Sequence, residues 1–138
     1  MVSARGGERA WTTFDVLKGI LAFLGDAEKI SAEIPRMHAS IHKLARKKEF
    51  RELLSGYIFD QRSYFPYSRE LQTDLLNLEM AGHLSVPNPA LNQYQLTPKL
   101  VRTFEKHTAE RFSDAQAELL KRMAARVRQD LAQKTGSS

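Results

Sequence analysis

Residues 57–96 read YIFDQRSYFPYSRELQTDLLNLEMAGHLSVPNPALNQYQL, and their order decides the fold: a short strand, a turn, a capped helix and a two-stranded hairpin. Ser68 stands just before the apolar series Leu71, Leu75 and Leu78, whose spacings of four and three residues put the three side chains on one helical face. Its hydroxyl is positioned to cap the free amides of the first turn. Gly82 follows the last turn, where a left-handed residue commonly ends a helix. His83 to Val86 then reads as extended, Pro87, Asn88, Pro89 and Asn92 form a turn-rich tip, and Tyr94 and Leu96 alternate with Gln95 and Thr97 as a return strand does. Thr97 followed by Pro98 starts the next helix. This order is that of the second half of a winged helix. The predicted fold class is therefore mainly α with a small antiparallel β-hairpin sheet.

Upstream of that stretch, a first helix is expected from about Thr13 to Leu24, with Leu17, Ile20, Leu21 and Leu24 facing inward and Gly25 as its stop. A short linker follows. A second helix covers roughly Glu33 to Ala45, where Ile34, Met37, Ile41 and Leu44 keep a three-four spacing and Arg36, Lys43 and Lys47 project from the other side. Pro35 belongs in its first turn. Phe50, Leu53 and Leu54 give a further helical turn closed by Ser55 and Gly56, and the β-rich run Tyr57, Ile58, Phe59 reads as the first strand of the small sheet. Downstream, Leu100, Phe104, Phe112, Leu119, Met123, Val127 and Leu131 recur near helical spacing from Pro98 to about Gln133. Ser113 and Gln116 have the spacing of a capping box that would split this run in two. The expected organisation is a flexible N-terminus over 1–11, a winged-helix domain over 12–112, a C-terminal amphipathic helix over 113–134, packed on the domain or on a symmetry partner, and a tail over 135–138.

The chain has 138 residues and no Cys. That length suits one domain, which buries roughly two thirds of its unfolded surface on folding. Without Cys there are no disulfides, thiolate metal sites or thiol nucleophiles, a composition that fits the cytoplasm. The first apolar segment, Phe14 to Leu24, is interrupted by Asp15 and Lys18 and is far shorter than the roughly twenty residues a bilayer span requires. Neither a signal peptide nor a membrane anchor is expected, and the expected location is cytoplasmic.

Ile41-His42-Lys43-Leu44, the aromatic run Tyr57-Ile58-Phe59-Asp60, the turn Phe65-Pro66-Tyr67-Ser68 and the helix and strand from Leu71 to Leu84 together resemble the Panacea (SocA-like antitoxin) group and related uncharacterised bacterial winged-helix proteins. The resemblance spans about a third of the chain. The group's turn opens with Gly where this chain has Phe65. What the resemblance implies is a bacterial or phage-borne regulator, an antitoxin or adaptor working through protein contacts, with no active-site residues to carry over.

The formal charge is +5, and two segments carry more than all of it. Six basic residues between positions 36 and 51 (Arg36, Lys43, Arg46, Lys47, Lys48, Arg51) face only Glu49, and five between positions 121 and 134 (Lys121, Arg122, Arg126, Arg128, Lys134) face only Asp130. With Arg122 and Arg126, the first set forms the candidate basic patch; the alternative reading is a solvated helix face. In a winged helix the third helix, here 68–82, enters the major groove and the wing touches phosphate. Arg69, Gln72, Thr73 and Asn77 are the candidate base contacts. Yet between Arg69 and Thr97 Arg69 is the only Lys or Arg, set against Glu70, Asp74 and Glu79, and the wing from Pro87 to Gln93 has no cation. Affinity for duplex DNA depends on neutralising phosphates, so this helix lacks the anchors that base reading needs.

Tyr57, Phe59, Tyr64, Phe65 and Tyr67 form an aromatic group that joins the core, stacks nucleobases or receives a partner's side chain, and Tyr64, Phe65 and Tyr67 are the candidate protein contacts. His38 and His42 are four apart, the spacing of paired metal ligands, but the Glu of the HExxH pattern is missing. His83 and His107 have no acid or nucleophile at motif spacing, and Gly6-Gly7 opens no phosphate loop. No catalytic residue, metal or cofactor is assigned. The expected function is a non-enzymatic regulatory or adaptor module with a protein partner or a second copy of itself. The alternative is a DNA-binding transcriptional regulator using residues 68–82, the wing and the basic helices; a histidine-dependent metalloenzyme is the remote one. Neither a membrane nor a small-molecule substrate is expected.

Overall fold

In the computed structural model, which describes residues 11–25, 28–62, 64–87 and 92–131, a mainly helical chain is built around a small three-stranded antiparallel sheet. Helix α1 runs Thr13–Ala22 behind a complete capping box: Thr12 Oγ1 accepts from Asp15 N, and Thr12 N donates to Asp15 Oδ2. Val16, Leu17, Ile20 and Leu21 are buried, making α1 the central helix. It ends at Gly25, whose φ of +110° lies in the left-handed region.

Strand β1 is Lys29–Ser31, inside the segment expected to be a linker. It pairs antiparallel with β3, Gln93–Leu96, and β3 also pairs with β2, Leu84–Ser85, so the sheet order is β1-β3-β2. The expected first strand, Tyr57 to Phe59, is not in the sheet. Ile58 is 70% exposed, and the run reaches only an isolated bridge between Asp60 and Tyr67. Its β-forming composition serves side-chain packing: Tyr57 is buried with its hydroxyl donating to Asp74 Oδ2 at 2.7 Å. Ile30, by contrast, is wholly buried opposite Tyr94, and that burial fixes β1.

Helix α2 is Ile34–Ala45, with Pro35 in its first turn. Met37, Ile41 and Leu44 point inward as expected, but Ile34 does not. It remains 42% exposed, and His38, one turn on, takes the buried place instead. A 3₁₀ turn, Lys48–Phe50, leads into the single-turn helix α3, Arg51–Leu54, which buries Phe50, Leu53 and Leu54. Helix α4, Arg69–Met80, is capped by Ser68 Oγ, which accepts from Leu71 N, and buries Leu71, Leu75 and Leu78. Gly82, at φ +83°, then turns the chain into β2.

After β3 the chain forms α5, Pro98–Thr103, a π-helical turn, Phe104–Thr108, and a 3₁₀ turn, Ala109–Arg111. The helical run then breaks: Phe112 is extended (φ −112°, ψ 144°), and Ser113 and Gln116 exchange both bonds of a capping box. Helix α6, Asp114–Leu131, packs on α1 and α2. Leu120, Met123, Ala124, Val127 and Leu131 are buried there, with Leu120 rather than the half-buried Leu119 opening the stripe. The C-terminal amphipathic stripe is thus consumed inside the chain. Gly19 permits this, because a Cβ there would sit 2.8 Å from Leu120 Cδ1 and 3.0 Å from a Phe104 ring carbon. The expected N-terminal flexibility over 1–10, the proline-rich tip at Asn88 and Pro89, Lys134 and the tail lie outside the described residues. Among the described residues no helix is long and apolar enough to cross a membrane.

Candidate functional site

The four candidate base contacts all lie on α4, but their surroundings differ. Arg69, Thr73 and Asn77 are exposed along one stripe. Gln72 is half-buried, and its Oε1 is bonded to His38 Nε2 at 2.9 Å. The same imidazole accepts from Ser68 N through Nδ1 at 3.0 Å and stacks on Tyr67 with centroids 4.8 Å apart. His38 is therefore fixed as the tautomer that carries its hydrogen on Nε2. Burial holds its pKa below the ordinary value of 6.5 against the raising effect of the Gln72 bond. Both its nitrogens are used, so binding a metal there would break at least one internal bond. Among the described residues no group of three His, Asp or Glu gathers. His42 lies half-buried against Phe59, at 4.8 Å between centroids.

The acids of α4 also divide. Asp74 is buried, accepting from Tyr57 Oη and from Thr13 Oγ1 at 2.8 Å, and so faces the core. Burial first, and then the Asp74 charge, raises the Tyr57 hydroxyl well above its usual pKa. Glu70 is half-buried, accepting from Ile58 N and Ser68 Oγ. Glu79 is exposed. Beside it on the surface stand Leu76, 49% exposed, and Met80, 84% exposed. The solvent side of α4 therefore offers, beside the stripe of Arg69, Thr73 and Asn77, two large apolar side chains and a carboxylate.

That face borders a hollow of about 590 Å³ between the start of α2, α4 and the sheet, lined among others by Glu33, Ile34, Gln72, Leu76, Glu79, Val86 and Tyr94. These residues come from three distant segments, and sequence spacing could not assemble them. The three-four spacing of α2 places Ile34 with the core, so it gives no sign of this hollow.

The candidate aromatics are grouped as expected and are not sealed in the core. Tyr64 is 94% exposed and meets Phe65 edge-on at 5.4 Å; Phe65 and Tyr67 are half-buried at 6.3 Å from each other.

The candidate basic patch is drawn together along α2, the following turn and α6, but part of its charge is answered internally. Arg36 donates to the Asp130 carbonyl at 2.7 Å, and Lys43 pairs with the Asp130 carboxylate at 3.2 Å. Arg122 pairs with Glu49 at 2.7 Å while lying over the Phe50 ring. These three clamp α6 to α2 and to the 3₁₀ turn. Arg46, Lys47, Lys48, Arg51 and Arg126 have no anionic partner among the described residues. Lys43, Arg46, Lys47 and Lys48 share one surface hollow with Glu49.

A second polar group lies beneath α1. Asp15 pairs with Arg111 at 2.9 Å. Lys18 and His83 are both buried nearby, and His83 Nδ1 has no hydrogen-bond partner among the described residues. Burial first, then the Lys18 and Lys99 charges, hold His83 at a pKa of about 4. Compared with known proteins, the chain matches no family model, no curated protein and no solved structure.

Proposed function

We propose that this chain is a non-enzymatic module of winged-helix architecture that regulates or adapts through protein contacts, in the manner of an antitoxin or a phage regulator. The strand order β1-β3-β2, with α2 and α4 between β1 and β2 and the hairpin directly after α4, supports that architecture. The observation that carries the protein-contact reading is the solvent face of α4. Leu76, Met80 and Glu79 stand on it, and Arg69 is the only Lys or Arg between positions 69 and 97. Apolar groups left in water on a helix beside a hollow favour a protein occupant. A carboxylate in the same place opposes phosphate.

The test is a titration of labelled random-sequence duplex DNA, followed by fluorescence anisotropy at low and moderate salt. Binding weaker than roughly 10 μM at low salt is expected, in the range of weak nonspecific association. Micromolar or tighter binding that falls steeply with salt and is lost in Arg69→Glu would overturn the reading. One second reading has an observation of its own. The hollow of Lys43, Arg46, Lys47 and Lys48 favours polyanion binding through α2 and α6. In that case charge reversal at Lys47 and Arg126, and not at Arg69, removes the affinity.

A further inference from the structure

The hollow beside α4 has a polarity that specifies its occupant. Its lining is largely aliphatic and aromatic, with Gln72 and Asn92 as neutral polar members: Ile34 and Leu76 stay partly exposed, Val86 is half-buried and Tyr94 is buried. Glu33 and Glu79 are exposed at its margin, and neither pairs with a cation among the described residues. Small-ligand sites bring several polar groups to bear on one enclosed point. Here, among the described residues that line it, the only charges are two carboxylates at the margin of an open, largely apolar surface. Met80, one helical turn beyond Leu76 on α4, extends the apolar surface outward.

Resting on the protein-contact reading above, we propose that this hollow is the docking site for a basic amphipathic peptide segment of a partner protein. An aliphatic side chain of that segment sits between Ile34, Leu76 and Val86, and flanking Lys or Arg residues pair with Glu33 and Glu79. Charge complementarity decides this occupant over an acidic one, which would put like charges together at both margins, and over nucleic acid, which would bring phosphates to the same carboxylates.

The experiment is selection of a random peptide library, displayed on phage, against the immobilised full chain. Enriched peptides are then synthesised and their affinities measured for wild type, Leu76→Asp, Glu79→Lys and Tyr64→Ala. Circular dichroism checks that each variant is folded; all three positions are exposed. The enriched peptides should carry an aliphatic residue flanked by Lys or Arg. Their affinity should fall about tenfold or more in Leu76→Asp and Glu79→Lys, the size expected when an interface anchor is lost, and should hold within about twofold in Tyr64→Ala, as for a residue outside the contact. Selection against Glu79→Lys should turn the preferred flanks acidic.

Enriched peptides without basic flanks, or with affinity unchanged in Leu76→Asp and Glu79→Lys, overturn the proposal. So does the absence of enrichment. If enrichment depends on Tyr64 instead, the docking site is refuted while the protein-contact function stands. If no peptide is enriched and duplex DNA binds with steep salt dependence that is lost in Arg69→Glu, both are refuted.

Discussion

Tyr57 shows how much a single side chain can mislead a reading by composition. Beside Ile58 and Phe59 it has the content of a strand, yet its ring is buried and its single hydroxyl hydrogen is shared between Asp74 Oδ2 at 2.7 Å and the Thr13 carbonyl at 3.1 Å, tying the segment after α3 to α4 and α1. Tyr57→Phe keeps the ring and removes both bonds. It should lower unfolding stability by about 1–2 kcal/mol, the usual size for a buried hydrogen bond lost with its partner left in place, as read from urea denaturation. His38 and His83 make a second residue-scale prediction. Burial holds both below the ordinary 6.5, His83 at about 4, where Lys18 and Lys99 also oppose its charging. Between those pH values the unfolded chain takes up protons that the folded chain refuses. Stability is therefore full above about pH 6.5 and declines as pH falls toward 4. The thermal midpoint should drop over that window, and His83→Phe should flatten the slope; a midpoint unchanged from pH 7 to 4.5 contradicts this assignment. Neither role was legible in sequence. A buried histidine and an exposed one have the same spacing, and only the approach of Ser68 and Gln72 distinguishes His38.

Among the elements, those set by local rules were legible and those set by distant pairing were not. The helices α1, α2 and α4, the stop at Gly82, the return strand β3 and the capping box at Ser113 each follow from spacing or cap chemistry within a few residues. Strand β1 is three residues long, with no periodicity of its own. It exists because Ile30 is buried opposite Tyr94, more than sixty positions away. The groove beside α4 was illegible for the same reason, being drawn from the start of α2, from α4, from Val86 after β2 and from Asn92 and Tyr94 at β3. Where α1 crosses α6, Gly19 leaves the room that Leu120 and Phe104 fill, a contact no local spacing announces. Gly19→Val should destabilise the fold by about 1–3 kcal/mol despite its better helix packing elsewhere, because the new side chain meets Leu120 and Phe104. A shift of the denaturation midpoint toward higher urea would show that the two helices can separate at no cost.

At the scale of the whole molecule, the basic hollow and the apolar hollow beside α4 are lined by different residues. The basic side runs along α2, its following turn and α6, and is partly spent on Asp130 and Glu49. The apolar and acidic side is α4 with its hollow. The C-terminal stripe is not available to a partner, since Leu120, Met123, Val127 and Leu131 are wholly buried within the chain. Leu120→Ala should therefore cost about 2–5 kcal/mol of folding stability, as large-to-small core substitutions do. The mass measured by light scattering should stay that of the wild type; a change of oligomeric state without loss of stability would return α6 to an interface. The central claim is that α4 presents protein contacts and not base contacts. It is tested most directly by an NMR titration of the isotope-labelled chain with random-sequence duplex DNA at low salt. The account predicts that the amides of Arg69, Thr73, Leu76 and Asn77 stay where they are, whatever happens along the basic side; shifts concentrated on those four would contradict it.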